Sequence, residues 1–189
     1  MTNKELDNCI IKFLEGDESS FDLIYYETEK SVYLSIYNII KERNTIEDLM
    51  QDTYMKAIKS LNYYAIGTNF KAWISRIARN NALNYVKRKN REDIIDSGER
   101  PDVYGTVSES YFLDFAVRNL NEIEKDIIVY KIILDLKFRE IAEVMELPLG
   151  TVYWNYRNAI DKIKEEIQEW ILDSLKENLK PNNIIFQMS

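Results

Sequence analysis

The chain has no histidine, a single cysteine, three prolines and five glycines among its 189 residues. Each shortage removes a class of protein. With no histidine and only Cys9 as a thiol, the commonest zinc ligands are missing, and so is the usual base that activates a serine or cysteine nucleophile. One cysteine cannot form an intrachain disulfide, and a lone thiol suits a reducing compartment. Scarce glycine and proline leave little material for a turn-rich β architecture, so long regular elements are expected and the fold class reads as all-α. No apolar run approaches the length that spans a bilayer, and the opening residues MTNKELDNCIIKF lack the apolar stretch of a secretion signal. The expectation is a cytoplasmic protein without a membrane segment, a metal, a cofactor or catalytic residues.

What is present is a large apolar fraction and an uneven charge. Hydrophobic residues make up 46% of the chain, enough for one large or two small cored domains. The formal net charge is -7, yet residues 69–91 (NFKAWISRIARNNALNYVKRKNR) hold seven basic side chains and no acidic one. Acidic stretches flank this island: residues 1–62 carry 12 acidic against 7 basic side chains, and residues 92–117 carry 7 against 1. A basic concentration in an acidic chain marks a place that attracts a polyanion. At helical spacing Phe70, Trp73, Ile74 and Ile77 fall on one side of the island and Arg76, Arg79 and Lys87 on the other. Asn80, Asn81 and Asn84 add amides that can both donate and accept toward a base edge. A solvated basic helix whose asparagines face water would satisfy the same spacing.

Along the chain, residues 4–15 place Leu6, Cys9, Ile10, Phe13 and Leu14 at helical spacing, with Cys9 as a small hydrophobe on the apolar side. A longer helix is expected over residues 19–43, capped by Ser19 or Ser20. The next opens at Thr45 and runs to Leu61, with Leu49, Tyr54, Ile58 and Leu61 inward and Asp48, Gln51, Asp52 and Met55 on another side. Carboxylates at i and i+4 invite a metal or acid-base reading, but no third ligand accompanies them, so a polar recognition face is the better reading. Residues 62–69 (NYYAIGTN) break the pattern as a loop, where Tyr63, Tyr64 and Asn69 could cradle an unstacked base.

Beyond residue 91 the chain turns acidic and turn-rich, which reads as a flexible acidic linker over residues 92–107 between helical domains at 1–91 and 108–175, with a tail at 176–189. In the second domain, residues 120–134 form a helix, 138–145 a short one, 146–148 a break, and a long helix starts at Leu149. This is helix-turn-helix spacing, with Ala142 small enough for close contact, Leu147 and Val152 as hydrophobic pins, and Pro148 suited to a helix start. The second helix of such a motif exposes Thr151, Tyr153, Trp154, Asn155, Arg157 and Asn158 to the major groove. A plain helical bundle shares this apolar spacing, and a stand-alone helix-turn-helix regulator with a sensor or dimerisation domain also fits the two-part organisation.

Taken together, Gly16-Asp17 followed by Phe21, then EDLMQDTYMKA (47–57), FKAWISRIARNNALNYVKR (70–88) and FREIAEVMELPLGTVYWNYRNAIDKIKE (138–165), resemble a bacterial RNA polymerase sigma factor of the extracytoplasmic-function type, with only the second and fourth sigma domains. The likeness runs to about residue 171. It implies that Asp48, Gln51, Asp52 and Met55 meet the β′ clamp helices of core polymerase. It implies further that the loop with Tyr64 and Asn69, together with Asn80 and Asn84, captures an extruded base of the minus-ten element while Arg76, Arg79, Lys87 and Arg88 hold phosphates. The second domain would read the minus-35 element of promoter DNA and meet the β flap, and an anti-sigma partner is expected. This chain departs from the family at Tyr153, Trp154 and Asn155, where Lys, Ser and Arg are frequent, and at Asn158, often Arg. That implies an unusual minus-35 sequence, with thymine methyls read by Tyr153 or Trp154.

Overall fold

The computed structural model describes residues 1–96 and 119–178. Helix α1 (Asn3–Leu14) starts on a reciprocal cap: the Thr2 amide donates to Glu5 Oε2 at 2.7 Å and the Glu5 amide to Thr2 Oγ1 at 3.3 Å. Gly16, at φ +101°, turns the chain in the left-handed region open to glycine. Asp17 then caps α2 (Ser20–Tyr37) by accepting from the Ser19 amide and from both serine hydroxyls at 2.6–3.2 Å. The serines, expected as caps, are donors here because the carboxylate beside them is the stronger acceptor. Helix α2 ends six residues short of the expected residue 43, and α3 (Arg43–Ser60) begins two residues before Thr45. A single 3-10 turn, Leu61–Tyr63, and a loop lead into α4 (Phe70–Asp96), which carries the helix five residues into the expected linker. Residues 97–107 of that linker, 108–118 and the tail from 179 lie outside the described residues.

The first core gathers Leu6, Ile10, Ile24, Val32, Ile36, Leu49, Phe70, Ile74 and Ala78 from α1 to α4, with Cys9 packed against it. Ile58, expected inward, is 40% exposed. One buried polar group is paired across the helices: Asn81 donates to Thr53 Oγ1 at 2.9 Å and accepts from Lys56 Nζ at 2.6 Å, which ties α4 to α3. Asn81 is therefore a structural residue.

In the second domain, Asn121 and Glu124 form another reciprocal cap that starts α5 (Glu122–Ile128). The expected single helix over 120–134 instead passes into a π-helical turn, Val129–Ile133, closed by the Leu134 amide on the Val129 carbonyl. Helix α6 (Phe138–Met145) and α7 (Leu149–Asn178) enclose the turn at 146–148, and Pro148 offers its carbonyl to the amides of Thr151 and Val152. Val152 is fully buried and Leu147 packs beside it, as the helix-turn-helix pattern requires. One α4 residue belongs to this second core: Ala72, 6% exposed, packs with Ile127, Tyr130, Leu136, Ile141 and Val144. Helix α4 is thus a wall shared by both domains, buried on one side by α1 to α3 and along part of another by α5 and α6.

Candidate nucleic-acid and polymerase interfaces

Successive turns of α4 place Arg76, Asn80, Asn84, Lys87 and Arg88 along a continuous stripe away from the first core. Its two halves stand in different surroundings. Asn84, Lys87 and Arg88 are exposed. Arg76 and Asn80 instead meet the second domain: Arg76 donates through Nε and Nη2 to Glu146 Oε1 at 3.2 and 3.0 Å, and Asn80 Nδ2 donates to the same oxygen at 3.3 Å. One turn away, Arg79 is paired with Asp126 of α5, the two side chains only 13% and 8% exposed. Burial holds the Asp126 carboxyl above the ordinary carboxylate range against the pull of Arg79, whereas the hydrogen bond from Arg76, joined by Asn80, holds exposed Glu146 below it. Asn69 caps α4 by accepting from the Ala72 amide at 3.3 Å and donates to Glu140 Oε2 of α6 at 3.0 Å. Between loop, α4 and α6 lies a cleft of about 400 Å³ lined by Tyr63, Thr68, Asn69, Trp73, Arg76 and Glu140 among others.

Tyr64 does not line an open base pocket. It is 6% exposed, and its hydroxyl lies 2.8 Å from Asp7 Oδ1 and 2.9 Å from the Thr68 carbonyl, with burial pushing the phenol's pKa upward. The aromatic ring that the loop does present is Tyr63, 85% exposed. Asp7, which sequence reasoning passed over, organises this loop: its other oxygen accepts from the Gly67 amide at 2.9 Å, where the backbone turns at φ +92°. Asp7→Ala leaves the Tyr64 hydroxyl and the Gly67 amide without that acceptor and should lower stability by about 1–3 kcal/mol. Urea unfolding checks it, and an unchanged midpoint would show that the loop does not depend on Asp7.

On α3, Asp48, Gln51, Asp52 and Met55 are all exposed along one face. Gln51 and Met55 also line a largely apolar groove of about 430 Å³ between α2 and α3, together with Phe21, Tyr25, Met50 and Ile58 among others. The exposure of Ile58 and Tyr25 has its place here, and the spacing of α3 alone gave no sign of it, because the groove needs α2 beside it.

In the helix-turn-helix, Trp154 and Tyr153 are 64% and 50% exposed, the Tyr153 ring resting 4.3 Å from that of Phe138. Arg157 is exposed, and Thr151 and Asn158 are half-buried. Asn155 is not available for a base: it is 5% exposed, on the face of Val152 and Ala159, and its amide donates to the Thr151 carbonyl at 2.8 Å. Among the described residues, no group of three or more metal-binding side chains is placed to hold an ion, and no helix is long and apolar enough to cross a membrane.

Comparison with known proteins places this geometry. Residues 26–92 match the Sigma-70 region 2 family. The chain is 30% identical over 190 residues to the ECF RNA polymerase sigma-E factor of Haemophilus influenzae, covering 89% of this chain and 98% of that one. It is 23% identical to the ECF RNA polymerase sigma factor SigW of Bacillus subtilis, covering 82% and 92%. The fold is similar to that of the sigma factor RpoE of Bartonella quintana, solved in complex with the anti-sigma factor NepR, with a TM-score of 0.63 and 21% identity over 78% of this chain and 96% of that one. CnrH, solved with the cytosolic domain of CnrY, gives a TM-score of 0.61 at 16% identity over 86% and 97%. Likeness along nearly the whole of the Haemophilus protein decides the matter: the chain belongs to the extracytoplasmic-function RNA polymerase sigma factors, alternative sigma factors that initiate transcription.

Proposed function

We propose that residues 1–91 form the unit that binds core polymerase and opens the minus-ten element, and that the helix-turn-helix unit at 108–175 reads the minus-35 element. The observation that carries this is the amide-bearing basic stripe of α4 beside the 63–69 loop, in a chain whose net charge is -7. Asn80 and Asn84 read an extruded base with Asn69 and Tyr63 near it, while Arg76, Arg79, Lys87 and Arg88 hold the strand's phosphates. Extruding a base costs a few kcal/mol, which amide contacts and stacking offset. Binding energy therefore does the melting, the chain is not an enzyme, and it acts in the cytoplasm. The apolar groove and the acidic face of α3 receive the β′ clamp helices, and the second domain meets the β flap. An anti-sigma factor is the expected inhibitor.

Run-off transcription with purified core polymerase on a promoter library tests the whole reading, since failure to associate with core or to confer start-site choice would end it. Two finer outcomes follow. Met55→Glu, which puts a charge at the mouth of the apolar groove, should weaken core binding by about 1–2 kcal/mol in a titration. Trp154→Ala should relax minus-35 discrimination by about 1–3 kcal/mol in competition between duplexes, and unaltered discrimination would take Trp154 out of the reading surface.

A further inference from the structure

We propose that Asp7 is a positioning residue for minus-ten recognition: one buried carboxylate on α1 holds the base-reading loop at two points and so sets which base the chain accepts. The inference rests on the minus-ten reading of α4 and its loop given above. Asp7 is 6% exposed and cannot itself touch DNA. Its two oxygens hold different parts of the loop. Oδ1 lies 2.8 Å from the Tyr64 hydroxyl, whose one hydrogen it shares with the Thr68 carbonyl at 2.9 Å, and Oδ2 accepts from the Gly67 amide at 2.9 Å.

Burial cannot shape this loop. Of residues 62–68 Tyr64 alone is buried, and the others, Tyr63 and Ile66 among them, are exposed. The loop's own bonds, from the Thr68 amide and hydroxyl to the Ala65 carbonyl at 3.2 and 2.7 Å, close the turn on itself but leave its pose over α4 free. Packing of the Tyr64 ring against Phe70 and Trp73, with centroids 5.0 and 5.6 Å apart, gives one anchor about which the loop could pivot. The tether at Gly67 removes the pivot. Both hydrogen-bonded tethers end on a single carboxylate, and α1 is itself locked into the first core by Leu6 and Ile10, 1% and 0% exposed. Fully paired buried polar groups specify one geometry where apolar contact tolerates several.

That geometry controls the space for a base. Tyr63, Gly67 and Asn69 give the cleft of about 400 Å³ its loop wall, Trp73 and Arg76 of α4 line it too, and α1 reaches it through Asn3. A misplacement of about 1 Å can cost a positioned contact about a hundredfold, so a loop released from Asp7 admits bases that the held loop rejects.

The test is made on holoenzyme assembled from the full-length chain at saturating core. The strongest promoter from the run-off library is prepared with each minus-ten base changed in turn to the other three, and run-off yield gives the ratio between the preferred base and the next best. Asp7→Asn keeps the side chain's size but leaves one oxygen where two are needed. Tyr64→Phe keeps the ring against Phe70 and Trp73 and removes only the hydroxyl, so it serves where Asp7→Asn folds poorly. A purely structural Asp7 would lower yield on every template in step with the folded fraction, followed by circular dichroism, and leave the ratio intact. Positioning flattens it. At the most selective minus-ten position the ratio should fall about tenfold in Asp7→Asn and about threefold in Tyr64→Phe, with minus-35 preference unchanged. An unaltered ratio in folded Asp7→Asn, or in Tyr64→Phe where the first variant does not fold, would overturn the proposal. Asn80→Ala in the same assay reports on the underlying reading. If it too keeps the ratio, the minus-ten assignment fails and the proposal with it; if it loses the ratio while the Asp7 variant keeps it, the positioning role alone is wrong.

Discussion

Replacing Asp52 with arginine should cut the affinity for core polymerase by about a hundredfold, equivalent to about 3 kcal/mol. Asp52 is exposed on α3, one turn from Asp48 and on the same helix as Met55 and Ile58, which line the apolar groove. The substitution is harmless to the fold, because an exposed helical position away from any cap or buried pair moves stability by only about 0.5 kcal/mol. Its effect falls on the partner. An acidic face next to an apolar groove fits a surface that presents cations around a nonpolar ridge, and arginine turns a favourable contact into a like-charge one at the moment of desolvation. Charge at an interface rim acts mainly on encounter, whereas charge at its centre acts on dissociation. Surface plasmon resonance on immobilised core should therefore show a faster off-rate, with promoter opening lost in proportion. Normal retention of the variant would remove α3 from the polymerase interface.

How far the residues alone disclose this molecule depends on whether the governing interaction is local. The two sides of α4, the break at 146–148, the burial of Val152 and the packing of half-buried Leu147 on the same core follow from spacing and from one proline, and the structure has them. Tyr64 and Asn155 read as exposed because their types and positions suit recognition. Tyr64 is drawn in by Asp7, 57 residues earlier in the chain, and Asn155 by a bond to the carbonyl four residues back in its own helix. Neither partner leaves a periodic trace. The donor role of Ser19 and Ser20 is hidden for a related reason: Asp17 competes for those hydroxyls, and propensity does not weigh acceptors. Least legible was the packing of the second domain on α4. Charge counting marks residues 69–91 as a site for an anion but does not distinguish a phosphate from Asp126, Glu140 and Glu146 of the same chain.

That ambiguity shapes the expected behaviour of Asn80→Ala. In holoenzyme the variant should form open complexes about 10- to 100-fold less well, as expected for loss of one base-reading amide contact worth about 1–3 kcal/mol, with core affinity unchanged. In the free chain the same substitution also removes the 3.3 Å contact to Glu146, a long hydrogen bond at a half-exposed site. Measurements on the free chain would mix the two effects, so the comparison belongs on polymerase-bound protein, with permanganate footprinting to report the melted bases. Asn81→Ala is the informative contrast. Its amide joins Thr53 and Lys56 within the first domain, so its loss should lower the unfolding midpoint and impair opening only in step with the folded fraction. Neighbouring asparagines on one helix would then separate into a reader and a brace. Equal losses of core binding and opening in Asn80→Ala would mean that it, too, only holds the domain together, and that the strand is read elsewhere.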